Sequence, residues 1–281
     1  MKLHWGDYLN RKTTLLMGIL NVTPDSFSDG GSFVNLEDAI VQAHRMIQEG
    51  ADILDIGGQS TRPGSIPITP KDELHRVLPI LEYLTRETTT PVSVDTFCPE
   101  VADACLSAGA AILNDVCGLR NPIMRRVVAR HGKPVVLMHM LGNPRTMQQS
   151  ISYGDVVNDL KNFFERRIRE AEDDGVREIM IDPGIGFGKT TEHNMEILHR
   201  LQEFKSLGYP LLIGVSRKSF IGDITGRPVN DRVDGTIAAC VIASMKGADV
   251  VRVHDVKPVK QALQVADAIQ CRRTPTDGSP L

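Results

Sequence analysis

A chain of 281 residues with a formal charge of -3, 41% hydrophobic and 24% charged, can bury a substantial core and has no net electrostatic attraction for nucleic acid. Its five cysteines, Cys98, Cys105, Cys117, Cys240 and Cys271, are odd in number and form no C-x-x-C pair. They therefore argue against a disulfide framework and a thiolate zinc site, and they fit a reducing compartment.

Residues 1–14 read as a short cap or hairpin without the apolar stretch of a signal peptide, and nowhere do about 18 apolar residues run together. The chain thus reads as soluble and cytoplasmic. From residue 15 onward, short apolar runs alternate with longer amphipathic segments. The runs at 15–21, 52–57, 92–95, 111–115, 135–139, 178–182, 211–215 and 250–254 predict eight strands. Between them, apolar residues recur at intervals of three and four. Leu36, Ile40, Ala43, Met46 and Ile47 form one such stripe, and Val157, Leu160, Phe163, Phe164 and Ile168 another, each able to cover a sheet. Runs that are apolar throughout, such as Val135-Val136-Leu137-Met138, belong to parallel strands buried on both faces.

Eight strand–helix units predict a single-domain (β/α)8 TIM barrel over 15–270, followed by a polar tail at 271–281. A doubly wound open sheet is the alternative. Its dinucleotide signature would be G-x-G-x-x-G after the first strand, where Asn21-Val22-Thr23-Pro24-Asp25 stands instead.

In a barrel the strand C-termini share the rim that carries the chemistry. That rim gathers Asn21, Asp55, Asp95, Asn114, Asp115, His139, Asp182, Ser216, Arg217, Lys218, Arg252 and His254. Helix capping explains one or two such positions but not polar side chains at the end of nearly every apolar run. Asp95, Asn114 and Asp182 offer carboxylate and amide edges suited to a flat heterocycle with both donors and acceptors. Arg252 and His254 share one face of the last strand by its period of two, and together can hold a phosphate. Lys218 suits either a Schiff base or hydrogen bonding to a heterocycle or anion, and spacing alone leaves both open. Ser219 opens a helix whose amides can receive a carboxylate. The loops at 21–31 and 57–64, rich in Gly, Pro and Asp, read as closing segments. The glycines at 184, 186 and 188 before Lys189 do not match a Walker loop, and His44, His75, His193 and His199 read as surface histidines.

With these residues in view, the chain resembles the dihydropteroate synthase family. The matching blocks are G-I-L-N-V-T-P-D-S-F-S-D-G-G at 18–31, G-G-Q-S-T-R-P-G at 57–64, S-V-D-T at 93–96, N-D-V at 114–116, D-P-G-I-G-F-G-K at 182–189, S-R-K-S at 216–219 and R-V-H-D at 252–255. The resemblance implies that a pterin ring meets Asp95, Asn114, Asp182 and Lys218, and that its diphosphate meets Asn21, Thr61, Arg252 and His254. It further implies Mg2+ on Asn21 and Asp29, and a 4-aminobenzoate pocket framed by Phe27, Arg62, Pro63, Phe187 and Ser219. Lys218, Arg252, His254 and Asp95 would carry the catalytic roles. The reaction implied is condensation of 6-hydroxymethyl-7,8-dihydropterin diphosphate with 4-aminobenzoate in folate biosynthesis, by a homodimer of the class that sulfonamides target. A pterin-binding methyltransferase barrel and a non-catalytic pterin-binding protein are the alternatives. The chain departs from the family pattern at Gln59, where glutamate is usual, and at Cys117, where a small hydroxyl residue is common; neither change falls on an implied pterin or phosphate contact.

Overall fold

The computed structural model describes residues 13–23, 36–60 and 68–271. The strands are β1 Leu15–Asn21, β2 Ile53–Gly57, β3 Val92–Asp95, β4 Ile112–Asp115, β5 Val135–Met138, β6 Ile179–Asp182, β7 Leu212–Ile213 and β8 Val250–Val253. Each pairs with its neighbours in parallel, in the order β6-β5-β4-β3-β2-β1-β8-β7. A parallel bridge between Ile181 and Leu211 joins the two ends, with the Ile181 N–H donating to the Pro210 carbonyl at 2.9 Å. The sheet is thereby closed into a (β/α)8 barrel.

Around it lie α1 Leu36–Gln48, α2 Pro70–Glu87, α3 Pro99–Ser107, α4 Pro122–His131, α5 Val156–Asp173, α6 Thr191–His199, α7 Ser219–Thr225, α8 Val233–Met245 and α9 Val256–Cys271. Helix starts follow local chemistry. Thr69 accepts from the Asp72 N–H with Pro70 at the first helical position, and Asn121 accepts from the Ile123 N–H with Pro122 likewise placed. Each side-chain oxygen satisfies a backbone donor that the helix leaves open, and each proline lacks a donor where none is needed. Between α7 and α8 the chain leaves helix at Gly226, whose φ of 70° is a left-handed cap.

Two apolar layers result. Leu15, Met17, Ile53, Ile112, Val136, Met180, Leu212 and Val250 fill the barrel interior. The alternate strand residues, such as Leu16, Leu54, Leu113 and Val251, pack outward against the helices. Burial on both faces explains the absence of polar alternation in these strands.

Strand ends match the sequence expectation to within about two residues, with β7 the shortest. It stops at Ile213 because Val215 already turns, its carbonyl accepting from the Lys218 N–H at 3.2 Å. Helix α9 runs one residue into the segment expected as tail. The expected cap at 1–14 lies outside the described residues except for Thr13 and Thr14, the latter's hydroxyl bonding Ser244 at 2.7 Å.

Candidate active site

Side chains in a strand alternate, so the residues two places beyond the inner apolar layer also face the barrel axis. Ile53 is followed by Asp55, Ile112 by Asn114, Met180 by Asp182 and Val250 by Arg252. A polar tier therefore rests on the apolar core toward the strand C-termini. Cross-strand register sets Asn21 beside Gly57, Gly57 beside Asp95 and Asp95 beside Asn114. Gly57 lies between Asn21 and Asp95, where a Cβ would stand 3.4 Å from Asn21 Oδ1 and 3.8 Å from Asp95 Cβ, in ordinary contact with both.

The tier is tied together by charge. Arg252 Nε donates to Asp55 Oδ2 at 2.6 Å, and its Nη2 donates to Asp95 Oδ2 at 2.9 Å. Asn114 Nδ2 donates to the same Asp55 oxygen at 3.1 Å. Asp55 is wholly buried, and Asp95, Asn114 and Asp182 are nearly so. Burial pushes the Asp95 carboxyl above its ordinary range, against the pull of Arg252. It pushes Asp182 up to about 6 despite a bond from the Gly184 N–H. Asp55 Oδ1 and Asp95 Oδ1 are buried and have no hydrogen-bond partner among the described residues. Two buried carboxylate oxygens without a partner are costly, and a ligand edge with N–H donors would satisfy them.

At the mouth, the Ser216 hydroxyl accepts from the His254 N–H at 3.1 Å and bonds the ring Nδ1 at 3.0 Å. Burial, reinforced by Arg252 and Arg217, lowers His254 to about 3, so its imidazole is neutral. Lys218 Nζ sits 4.1 Å from the centroid of the Phe187 ring, a cation–π contact. Gly186 leaves the space that the Lys218 stem uses, since a Cβ there would lie 3.1 Å from Lys218 Cδ. Ser219 is exposed and begins α7. Arg217 holds a left-handed φ of 57°, unusual for a side chain of its size. A bidentate bond to Asp255, at 2.9 and 2.6 Å, and a bond from its N–H to Thr236 Oγ1 fix it there.

Thus Asn21, Asp95, Asn114, Asp182, Phe187, Lys218, Ser219, Arg252 and His254 lie at or near one end of the barrel. Phe27, Asp29, Thr61, Arg62 and Pro63 lie outside the described residues. Three members of the expected rim do structural work instead. Asp115 accepts from the N–H groups of Cys117 and Leu119 and so shapes its own turn. Arg217 is spent on Asp255. His139 turns toward Lys189 and packs edge-on against Phe163, ring centroids 4.7 Å apart. Nor is His193 a free surface histidine: it shares a capping box with Thr190 at the start of α6. Cys117 is a half-buried thiol raised to about 12 by desolvation.

Three contributors carried no assigned role in the expected site. Asp55 and Ser216, both on the expected rim, orient Arg252 and His254; the period-two register of Asp55 with Ile53 was the available signal. Lys189 is buried, and its ammonium meets the carbonyls of Gly184 and Phe187 and His139 Nδ1 at 3.0, 3.1 and 2.9 Å. It fastens the glycine-rich segment that carries Phe187. Burial lowers Lys189 to about 7.

Residues 17–254 match the model of the pterin binding enzyme family. A dihydropteroate synthase from Synechocystis is 50% identical over 269 residues, covering 94% of this chain and 91% of the relative. The solved dihydropteroate synthase of Xanthomonas albilineans with 4-aminobenzoic acid superposes with a TM-score of 0.87 at 46% identity, covering 93% of this chain and 94% of that one. The same enzyme in complex with 7,8-dihydropteroate gives a TM-score of 0.84 at 44% identity, over 93% and 95% of the two chains. With the barrel, the buried carboxylate–arginine tier and this identity in agreement, the chain belongs to the dihydropteroate synthase family of pterin-binding enzymes.

Proposed function

We propose that this transferase joins 6-hydroxymethyl-7,8-dihydropterin diphosphate to 4-aminobenzoate, giving 7,8-dihydropteroate and diphosphate. The observation that carries the reading is the buried tier of Asp95, Asn114, Asp182 and Arg252 directly above the apolar barrel core. Its acceptors suit the amino and ring N–H groups of a pterin, which a merely apolar pocket would leave unpaired. Lys218 completes that edge as a donor. That a related enzyme at 44% identity is solved in complex with 7,8-dihydropteroate supports the reaction read here.

The chemistry asks for charge stabilisation and no strong nucleophile. The bond from the pterin methylene carbon to the diphosphate oxygen breaks, the arylamine nitrogen bonds that carbon, and the amine loses a proton. Arg252, His254 and Asn21, with Thr61, would receive the diphosphate. A guanidinium already fixed by two carboxylates needs no reorganisation as negative charge grows on the leaving group. Phe187, Ser219, Phe27, Arg62 and Pro63 would frame the amine substrate. The amide oxygen of Asn21 is a hard donor, suited with Asp29 to a Mg2+ that draws its other ligands from diphosphate and water. When bound, the ion would neutralise part of the diphosphate charge.

Two copies of the chain would pair through α8 and α9. Helix α8 is apolar around its circumference, and Ile242 and Met245 stay exposed on it, as do Val265 and Ile269 on α9. A helix apolar on all sides calls for a partner on each. The buried free thiols of Cys105 and Cys240 suit residence in the reducing cytoplasm, and no helix among the described residues is long and apolar enough to cross a membrane. Mass spectrometry after incubation with both substrates tests the reading. A product with the mass of 7,8-dihydropteroate is expected; unchanged 4-aminobenzoate beside intact pterin diphosphate contradicts it.

A further inference from the structure

Apart from the catalytic tier, a cavity of about 430 Å³ lies beyond the end of β5, lined by Arg120, Arg166 and Arg167 together with His139, Met140, Leu141 and Phe163. Its volume is that of a small-ligand site. None of Asp95, Asn114, Asp182, Lys218 or Arg252 lines it. Phe163 and the two following arginines come from α5, Met140 and Leu141 from the segment after β5, and Arg120 from the segment after β4.

Three arginines and no carboxylate are among the lining residues. Arg120 donates to the carbonyls of Met140 and Gly142 and stands 5.6 Å from the Phe163 ring centroid, all of them uncharged partners. Among the described residues, the hydrogen bond from the Arg167 guanidinium goes to Glu170, and its Nε is buried without a partner. Glu170 is shared, because its other oxygen lies 3.5 Å from Arg125 Nη1. Burial lowers Arg167 from its ordinary value against the pull of Glu170, and the positive neighbours Arg166 and Arg125 add to the lowering. Three guanidinium groups held around one opening repel one another, and an anion relieves that repulsion while accepting their hydrogen bonds. Met140, Leu141 and Phe163 add apolar surface to the same lining, which suits a hydrocarbon body.

We propose that this cavity is a second ligand site, for a small organic anion with one phosphate or carboxylate head and an apolar ring or chain. Its occupant would also be felt at the catalytic end. His139 lines the cavity and bonds Lys189 Nζ, which in turn holds the Phe187 carbonyl. The two sites thus share a chain of direct contacts through three residues.

Calorimetric titration of the intact protein with phenyl phosphate tests the proposal, with phenylacetate and inorganic phosphate in parallel to separate the head group from the apolar body. The expected result is a saturable site for phenyl phosphate that persists in Lys218→Ala, a change confined to the catalytic end. Binding should weaken about tenfold in Arg167→Met and about as much in Arg166→Ala, since each loses one charge-assisted contact to the anion. Arg166 is exposed, so its replacement leaves folding unaffected and serves as the control for Arg167. Retention of the phenylacetate site, also weakened by Arg166→Ala, assigns carboxylates as well as phosphates to the cavity; its absence restricts the head group to phosphate. Loss of all binding in Lys218→Ala, unchanged affinity in both arginine variants, or equal affinity for inorganic phosphate would overturn the proposal.

Discussion

Asp182 sets function against stability within one side chain. Its carboxyl is raised to about 6 in the folded chain against an ordinary 3.8, so the folded state favours the proton. Stability associated with this group is complete below about pH 4 and is lost as pH rises through 6. At pH 8 the buried charge costs ~3 kcal/mol relative to a neutral group. Asp182→Asn keeps an oxygen for the Gly184 N–H. It should therefore raise the urea midpoint at pH 8, leave it unchanged near pH 4, and reduce turnover by two orders of magnitude or more. A midpoint at pH 8 equal to that of the unaltered chain would refute the assignment. Arg252 behaves in the opposite sense, because its removal strands Asp55 and Asp95. Arg252→Met should destabilise the fold by about 3–5 kcal/mol at pH 8. The loss should shrink at pH 5, where Asp95, already pushed toward its protonated form, loses its charge. Denaturant titrations at the two pH values read this directly. At this scale the sequence was legible where chemistry and strand period coincide, as for Asp95, Asn114, Asp182 and Arg252. It was misleading where an identical residue type serves its own loop. Asp115 sits one place beyond Asn114, and only the fold shows that its carboxylate turns back to the Cys117 and Leu119 amides.

Among the elements, the segment from Asp182 to Lys189 depends on a single buried ammonium. Lys189→Ala would leave the Gly184 and Phe187 carbonyls without their donor, at a cost of about 1–3 kcal/mol. Lys189 itself is lowered to about 7. The unfolded chain therefore binds the extra proton between about 7 and 10.5, and stability rises with pH across that window. The unaltered chain should gain stability from pH 7 to 9, the Ala variant should lack that gain, and KM for the amine should rise through loosened Phe187. Urea midpoints and steady-state kinetics check both parts. Strand positions were readable because parallel strands buried on both faces demand continuous apolar runs. β7 was overestimated for the same reason: Val215 is buried and apolar but already belongs to the turn that presents Ser216, Arg217 and Lys218. The role of Lys189 was hidden because a lysine after glycines resembles a phosphate loop, whereas its partners are carbonyls contributed by backbone geometry.

For the whole molecule, closure by β7 and the Ile181–Leu211 bridge brings the two ends of the sequence to one mouth, so that Arg252 reaches Asp55 across 197 positions of the chain. Strand count and order made the barrel legible; the pairing of Arg252 with Asp55 and Asp95 depends on the inward register that only closure fixes. The exposed apolar residues of α8 and α9 predict a dimer in sedimentation velocity, with Ile242→Glu combined with Val265→Glu shifting it to monomer at equal concentration. A monomeric unaltered chain would remove that interface from the account. The central claim, a pterin diphosphate activated above the barrel core for attack by an arylamine, is tested most directly by diphosphate release. Purified protein with 6-hydroxymethyl-7,8-dihydropterin diphosphate and Mg2+ should release diphosphate in proportion to added 4-aminobenzoate, one for each dihydropteroate formed. Release at the same rate without the amine, or none with it, would contradict the account.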